Sequence, residues 1–134
     1  MSNTLGTGLL LLASAFSFSV QAAQVFLHSG ESAVAWKLRP QAEVKEDVNA
    51  LCNKEYDASS WVDAVVPGTA FTAYVNAGLE KDPNFGDNIH KVDRTKYDRS
   101  FWYRTEFRIP ADFDKELIWL NFNGVNREAE IYLN

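Results

Sequence analysis

The stretch that decides the fold is FWYRTEFRI, residues 101–109. Its odd-numbered positions carry Phe, Tyr, Thr, Phe and Ile, whereas its even-numbered positions carry Trp, Arg, Glu and Arg. Because successive side chains of a β-strand point to opposite faces, this period of two predicts a half-buried strand with one apolar side. Phe107 lies on the apolar side of the pattern, and we expect it to be buried in the core.

The same alternation recurs twice after the Ile109-Pro110 stop. It appears in IWLNF, residues 118–122, and in AEIYL, residues 129–133, with the Asn123-Gly124 turn signal between them. We therefore expect three successive, antiparallel strands. Because the last of them has no following partner, the sequence is expected to stop within a domain, which would be incomplete at its C-terminus.

Upstream of these strands the pattern is shorter. Residues 33–38 and 61–66 are strand candidates, and Pro67-Gly68 ends the second of them. Next comes a helix signal: Thr69 suits an N-cap, apolar residues recur at helical spacing between positions 70 and 77, and Gly78 suits a left-handed C-terminal cap. The predicted fold class is an all-β sandwich with one short helix.

Composition excludes several classes of function. The chain has 134 residues and carries 13 basic against 18 acidic side chains, a formal charge of -5, without a basic cluster. Nucleic acid and anionic membrane surfaces are therefore not expected as partners. A single cysteine, Cys52, excludes an internal disulfide and a cysteine zinc site.

The first residues predict export. The apolar run LLLLASAFSFSV, residues 9–20, is too short for a comfortable membrane span and is followed by Gln21-Ala22-Ala23, with small residues at a cleavage position. We expect residues 1–23 to be a signal peptide, cut after Ala22 or Ala23. Residues 24–134 would then form the exported domain, secreted or periplasmic and not membrane-bound after cleavage.

Five motifs in order resemble a known family. They are WVDAVVPGT at 61–69, DPNFGDN at 82–88, FWYRTEF at 101–107, FNGVN at 122–126 and AEIYLN at 129–134. Together they resemble the N-terminal domain of glycoside hydrolase family 2, nearest to its β-mannosidases, endo-β-mannosidases and exo-β-glucosaminidases. The resemblance implies a galactose-binding-like jelly roll, followed in the whole protein by an immunoglobulin-like domain and a catalytic TIM barrel.

The resemblance also implies what this chain lacks. Members of the family cleave β-glycosides by a retaining mechanism that uses two carboxylates. Both belong to the barrel, beyond residue 134, so no catalytic residue is expected here and the chain alone is expected to be inactive. Its partners would be the carbohydrate substrate and its own downstream catalytic domains. The alternative hypothesis is a carbohydrate-binding module without hydrolytic activity.

A polar, aperiodic loop spans residues 80–100, and loops of about twenty residues are commonly functional or locally ordered. The resemblance places part of it toward the barrel mouth in some family members. Asp87, Asn88 and Trp102 are therefore predicted substrate-binding residues, because amides, carboxylates and an indole face suit a pyranose ring. The alternative is a loop ordered by Asx turns, with Trp102 packing on another domain.

No metal or cofactor site is predicted. Asp82 and Asn84 begin like a calcium loop, but Asp87 takes the position where that loop needs glycine, and its final glutamate is missing. His28 and His90 are too isolated in the sequence to indicate a metal site or a catalytic pair.

Overall fold

The computed structural model describes residues 24–29, 34–111, 113 and 117–134. The predicted signal peptide, residues 1–23, lies outside the described residues. The described residues contain three strands: β1 (Trp36–Pro40), β2 (Val62–Ala64) and β3 (Phe101–Thr105). Two α-helices, α1 (Val48–Cys52) and α2 (Ala70–Asn76), and three 3-10 helices, Gln41–Glu43, Asn88–Lys91 and Arg94–Lys96, complete the described elements.

The three strands form one antiparallel sheet in the order β2-β1-β3. Leu38, in the middle of the central strand, is opposite Val62 on one side and Tyr103 on the other. This arrangement confirms the predicted fold class, a mostly-β domain with few helices. The predicted strand at residues 101–109 contains β3, which ends at Thr105 because its partner β1 begins at Trp36.

One face of the sheet packs against helix α2. Leu38 and Ala73 are completely buried there, together with the nearly buried Ala64, and Tyr74 and Phe101 close the cluster. Helix α2 begins where the sequence predicts, because the Thr69 hydroxyl accepts a hydrogen bond from the Thr72 backbone N–H at 3.1 Å. Gly78 follows the helix with a left-handed φ of 71°, as expected of its C-terminal cap.

The opposite face of the sheet is covered by the segment around helix α1. Leu51, Ala58 and Trp61 form a buried cluster against which Trp102 of β3 packs. Beside it, the Arg104 guanidinium donates from Nε to the Leu51 carbonyl at 2.9 Å. Strand β3 therefore has apolar neighbours on both faces, through Phe101 in the first cluster and Trp102 in the second.

Two groups of sequence predictions are wrong. Residues 118–122 and 129–133 form no strand in the described part of the chain, because a strand needs a neighbour for its N–H and C=O groups and these segments pair with none of β1, β2 and β3. Phe107 lies beyond the end of β3 and is 36% exposed, so it is not the core residue that the alternation predicts. Helix α1 is an addition to the single predicted helix; it is capped by Asp47, which accepts from the Ala50 N–H at 2.8 Å.

Candidate functional site

The connection between α2 and β3 is ordered by aromatic packing. Tyr97 stands edge-on to Phe71, with ring centroids 5.2 Å apart, and edge-on to Tyr74 at 5.6 Å. Both partners belong to helix α2. The connection also contains the 3-10 helices Asn88–Lys91 and Arg94–Lys96. The connection is therefore fixed to the helix that covers the core. A loop of this length is expected to be functional or locally ordered, and this connection is locally ordered.

An ion pair joins the two ends of this connection. Lys96 Nζ lies 2.9 Å from Glu80 Oε1. The bond lowers the pKa of Glu80 and raises the pKa of Lys96. Burial, and after it the neighbouring Glu80 carboxylate, raises the pKa of the Tyr97 hydroxyl, which makes no hydrogen bond of good geometry within the described residues.

The tip of the connection, residues 82–88, closes on itself; we call it the closed loop. Asp82 Oδ1 accepts hydrogen bonds from the backbone N–H of Asn84 at 2.9 Å and from its side-chain amide at 3.1 Å. The Asp82 carbonyl accepts two more, from the Phe85 N–H at 3.3 Å and from Asn88 Nδ2 at 2.9 Å. Gly86 has a left-handed φ of 60°, which glycine adopts readily. This is the Asx-turn order anticipated as the alternative to a binding loop.

Two of the predicted substrate-binding residues lie in the closed loop. Asp87 Oδ1 pairs with Lys91 Nζ at 2.7 Å, and both side chains remain largely exposed. Asn88 uses its amide N–H₂ group to hold Asp82. Within the described residues, no hydrogen bond uses the Asp87 Oδ2 or Asn88 Oδ1 atom. Each side chain therefore keeps an acceptor oxygen that a hydroxyl group could meet.

The third predicted residue, Trp102, lies elsewhere on the sheet. It is half-buried against the cluster of Leu51, Ala58 and Trp61, and its ring centroid is 5.9 Å from that of Tyr132. No hydrogen bond or ring contact in the described part of the chain joins Trp102 to Asp87 or Asn88. The structure thus brings together two of the three predicted residues and places the third in a packed cluster.

The closed loop also carries an aromatic residue, Phe85, that is not among the predicted substrate-binding residues. Phe85 is 77% exposed, and none of the ring contacts of the described residues involves it. The signal that could have revealed it is its position: an aromatic residue between Asn84 and Gly86, inside a short turn-forming stretch, has few neighbours to pack against.

Other places in the described residues offer less chemistry. No group of three His, Cys, Asp or Glu side chains in ranges 24–29, 34–111 and 117–134 is arranged to hold a metal ion. An open cavity of about 610 Å³ lies between α1 and residues 131–134, and its lining includes none of Asp87, Asn88 and Trp102. Of the helices described, none combines the length and the apolar character that a membrane span requires.

Comparison with known proteins identifies the family. Residues 36–134 match the family model described as the glycosyl hydrolase 2 galactose-binding domain-like family. The chain is 27% identical over 99 residues to an exo-beta-D-glucosaminidase of Streptomyces avermitilis, covering 74% of this chain and 11% of the relative. It is 28% identical over 102 residues to an exo-beta-D-glucosaminidase of Hypocrea virens, with the same coverage.

A plant protein is also similar. The mannosylglycoprotein endo-beta-mannosidase of Lilium longiflorum is 32% identical over 83 residues, covering 58% of this chain and 8% of the relative. No solved structure gives a significant match. The chain spans about a tenth of the length of the curated relatives it matches, as the 11% and 8% coverages show. Since the family model matches well over half of its residues, the chain belongs to the glycosyl hydrolase 2 galactose-binding domain-like family.

Proposed function

We propose that this chain is the non-catalytic N-terminal domain of an exported retaining β-glycosidase that acts on β-glucosaminides or β-mannosides. The observation that carries the proposal is the family match over residues 36–134, in a chain whose relatives are glucosaminidases and a mannosidase. The matched region is 11% of the first glucosaminidase and 8% of the mannosidase, so most of each protein lies outside it.

Three of the carboxyl groups do not suit the acid role of a retaining glycosidase. Retaining hydrolysis needs one carboxyl that keeps its proton near neutral pH and a second carboxylate about 5 Å away. Hydrogen bonds instead lower the pKa of Asp57, Glu80 and Asp93, mainly through Ser59, Lys96 and Thr95. These three groups are ionised at neutral pH and do not suit the acid role. In this proposal the catalytic pair lies on the downstream barrel.

The closed loop is the part of the domain that we assign to the carbohydrate. Asp87 and Asn88 each keep an acceptor oxygen on a turn that is already ordered, so binding a sugar would cost little conformational entropy there. Trp102 contributes by supporting the sheet, through its packing on the cluster of Leu51, Ala58 and Trp61. Export, to the periplasm or the medium, follows in this proposal from the apolar run at residues 9–20 and the small residues after it.

The test is hydrolysis by the complete gene product. β-1,4-linked oligosaccharides of glucosamine and of mannose are incubated with it, and released sugars are measured by chromatography. The proposal expects turnover of one of the two series. Binding of either series without any release of sugar would favour the binding-module alternative. The absence of both binding and release would contradict the assignment to carbohydrate.

A further inference from the structure

We infer that Phe85 is the side chain on which the closed loop receives a sugar ring. The inference rests on the proposed function, because it names the contact by which this domain would meet the carbohydrate. The aromatic residue that would contact the sugar is Phe85 in the loop. The sequence instead predicts Trp102, which lies on the sheet.

The backbone around Phe85 is fixed from both sides. Its N–H donates to the Asp82 carbonyl at 3.3 Å, and its carbonyl accepts from the Asn88 N–H at 3.3 Å. The side-chain amide of Asn88 also holds the Asp82 carbonyl. Both backbone polar groups of Phe85 are already hydrogen-bonded, so a ligand would contact its ring. The ring is attached to an ordered stretch of backbone.

The ring has no packing role in the described structure. The aromatic side chains near it in sequence pack on one another: Tyr97 contacts Phe71 and Tyr74, and Tyr74 contacts Phe101. Phe85 is 77% exposed by contrast. A phenylalanine ring left in water forgoes the burial that stabilises the others, so an ordered loop that displays one is a candidate for contact with a ligand.

The chemistry around the ring favours a sugar over a protein surface. A pyranose has an apolar C–H face and a rim of hydroxyl groups, and it needs an aromatic face with acceptors beside it. Asp87 and Asn88 follow Phe85 by two and three residues and supply such acceptors. A dry protein interface would instead desolvate the Asp87 to Lys91 ion pair, which is costly.

The experiment compares Phe85→Ala and Phe85→Trp in the complete gene product, with Leu79→Ala as the matched control. Leu79 is also exposed, at 59%, and lies near the start of the same connection. KM and kcat are measured with the β-1,4-linked tetrasaccharides of glucosamine and mannose, dissociation constants with the same sugars by calorimetry, and the melting temperature for each variant.

For Phe85→Ala we expect KM or the dissociation constant to rise about 3- to 10-fold, with an unchanged melting temperature. Phe85→Trp should keep wild-type values, because the larger ring preserves the flat face, and Leu79→Ala should change nothing. An unchanged KM with a melting temperature lowered by several degrees would overturn the inference in favour of a contact with another domain. Wild-type values throughout would overturn it as well.

The same data separate this inference from the proposed function. If the wild-type protein binds a tetrasaccharide without hydrolysing it, and Phe85→Ala weakens that binding, the hydrolase assignment fails while the role of Phe85 stands. If the wild-type protein hydrolyses either sugar and Phe85→Ala leaves KM unchanged, only the role of Phe85 fails. If it neither binds nor hydrolyses, both fail.

Discussion

The side-chain amide of Asn88 donates a hydrogen bond of 2.9 Å to the backbone carbonyl of Asp82, six residues earlier, and this bond closes the loop that carries Phe85. In the proposed function, Asn88 has two routes to the sugar. Its amide N–H₂ group shapes the loop, whereas its unused oxygen can meet a hydroxyl group directly.

Asn88→Ala in the complete gene product should raise KM severalfold and leave the melting temperature nearly unchanged, because the lost hydrogen bond is exposed. Asn88→Asp keeps an acceptor oxygen but loses the donor, so it separates the two routes. Asn49→Ala, an exposed asparagine on α1, is the control. Michaelis parameters at wild-type values in both Asn88 variants would mean that the closed loop does not contact the substrate.

Leu38→Ala should cost about 2–5 kcal/mol of unfolding free energy, because Leu38 is completely buried between α2 and the sheet. Phe107→Ala should stay within about 1 kcal/mol of the wild type, since Phe107 is 36% exposed beyond β3. Urea unfolding followed by circular dichroism measures both. Equal losses would show that the core extends past Thr105, as the sequence alternation predicts.

The alternation in residues 101–109 predicts β3 and its start, because a half-buried strand leaves a period of two in the sequence. It does not predict where β3 ends. That depends on where β1 begins, and its first residue, Trp36, is far from Thr105 in the sequence. For the same reason the equally regular pattern of residues 118–122 does not guarantee a strand. Helix α2 is predictable because its signals are local, from the Thr69 cap to Gly78.

The candidate site is predictable only in part. The stretch DPNFGDN indicates an Asx turn, and the hydrogen bonds of Asp82 confirm it. The sequence does not show that Trp102 faces the α1 cluster, because burial on the second face of β3 depends on the distant Leu51 and Trp61. Nor does it show that Phe85 stays outside the core, since apolar residues are buried or exposed according to their neighbours in space.

Glu80→Gln should destabilise the chain at neutral pH but not in strong acid. The pKa of Glu80 is lowered below its ordinary value of 4.5, mainly by its hydrogen bond with Lys96. The carboxylate therefore stabilises the folded state above that value, and the contribution is lost as the pH falls through the folded-state pKa. Unfolding of both forms is compared at pH 7 and at about pH 2. If the difference in unfolding free energy between the wild type and Glu80→Gln is the same in acid as at pH 7, the ion pair is not the cause of that difference.

Arg104→Lys should lower the unfolding free energy by about 1–3 kcal/mol. Arg104 donates to the Leu51 carbonyl at 2.9 Å and to the Asn53 carbonyl at 2.8 Å, and a lysine ammonium cannot reproduce this forked geometry. The exposed Arg108→Lys is the control. A loss equal to that of the control would mean that helix α1 is held to β3 by apolar packing alone.

We propose that this chain is part of a glycosidase and does not carry the catalytic groups of that enzyme. The most direct measurement is release of nitrophenol from nitrophenyl β-glucosaminide and β-mannoside, with the purified 134-residue chain and the complete gene product side by side. We expect turnover by the complete product and none by the chain. Turnover by the 134-residue chain that a single substitution of one of its own carboxylates abolishes would contradict it.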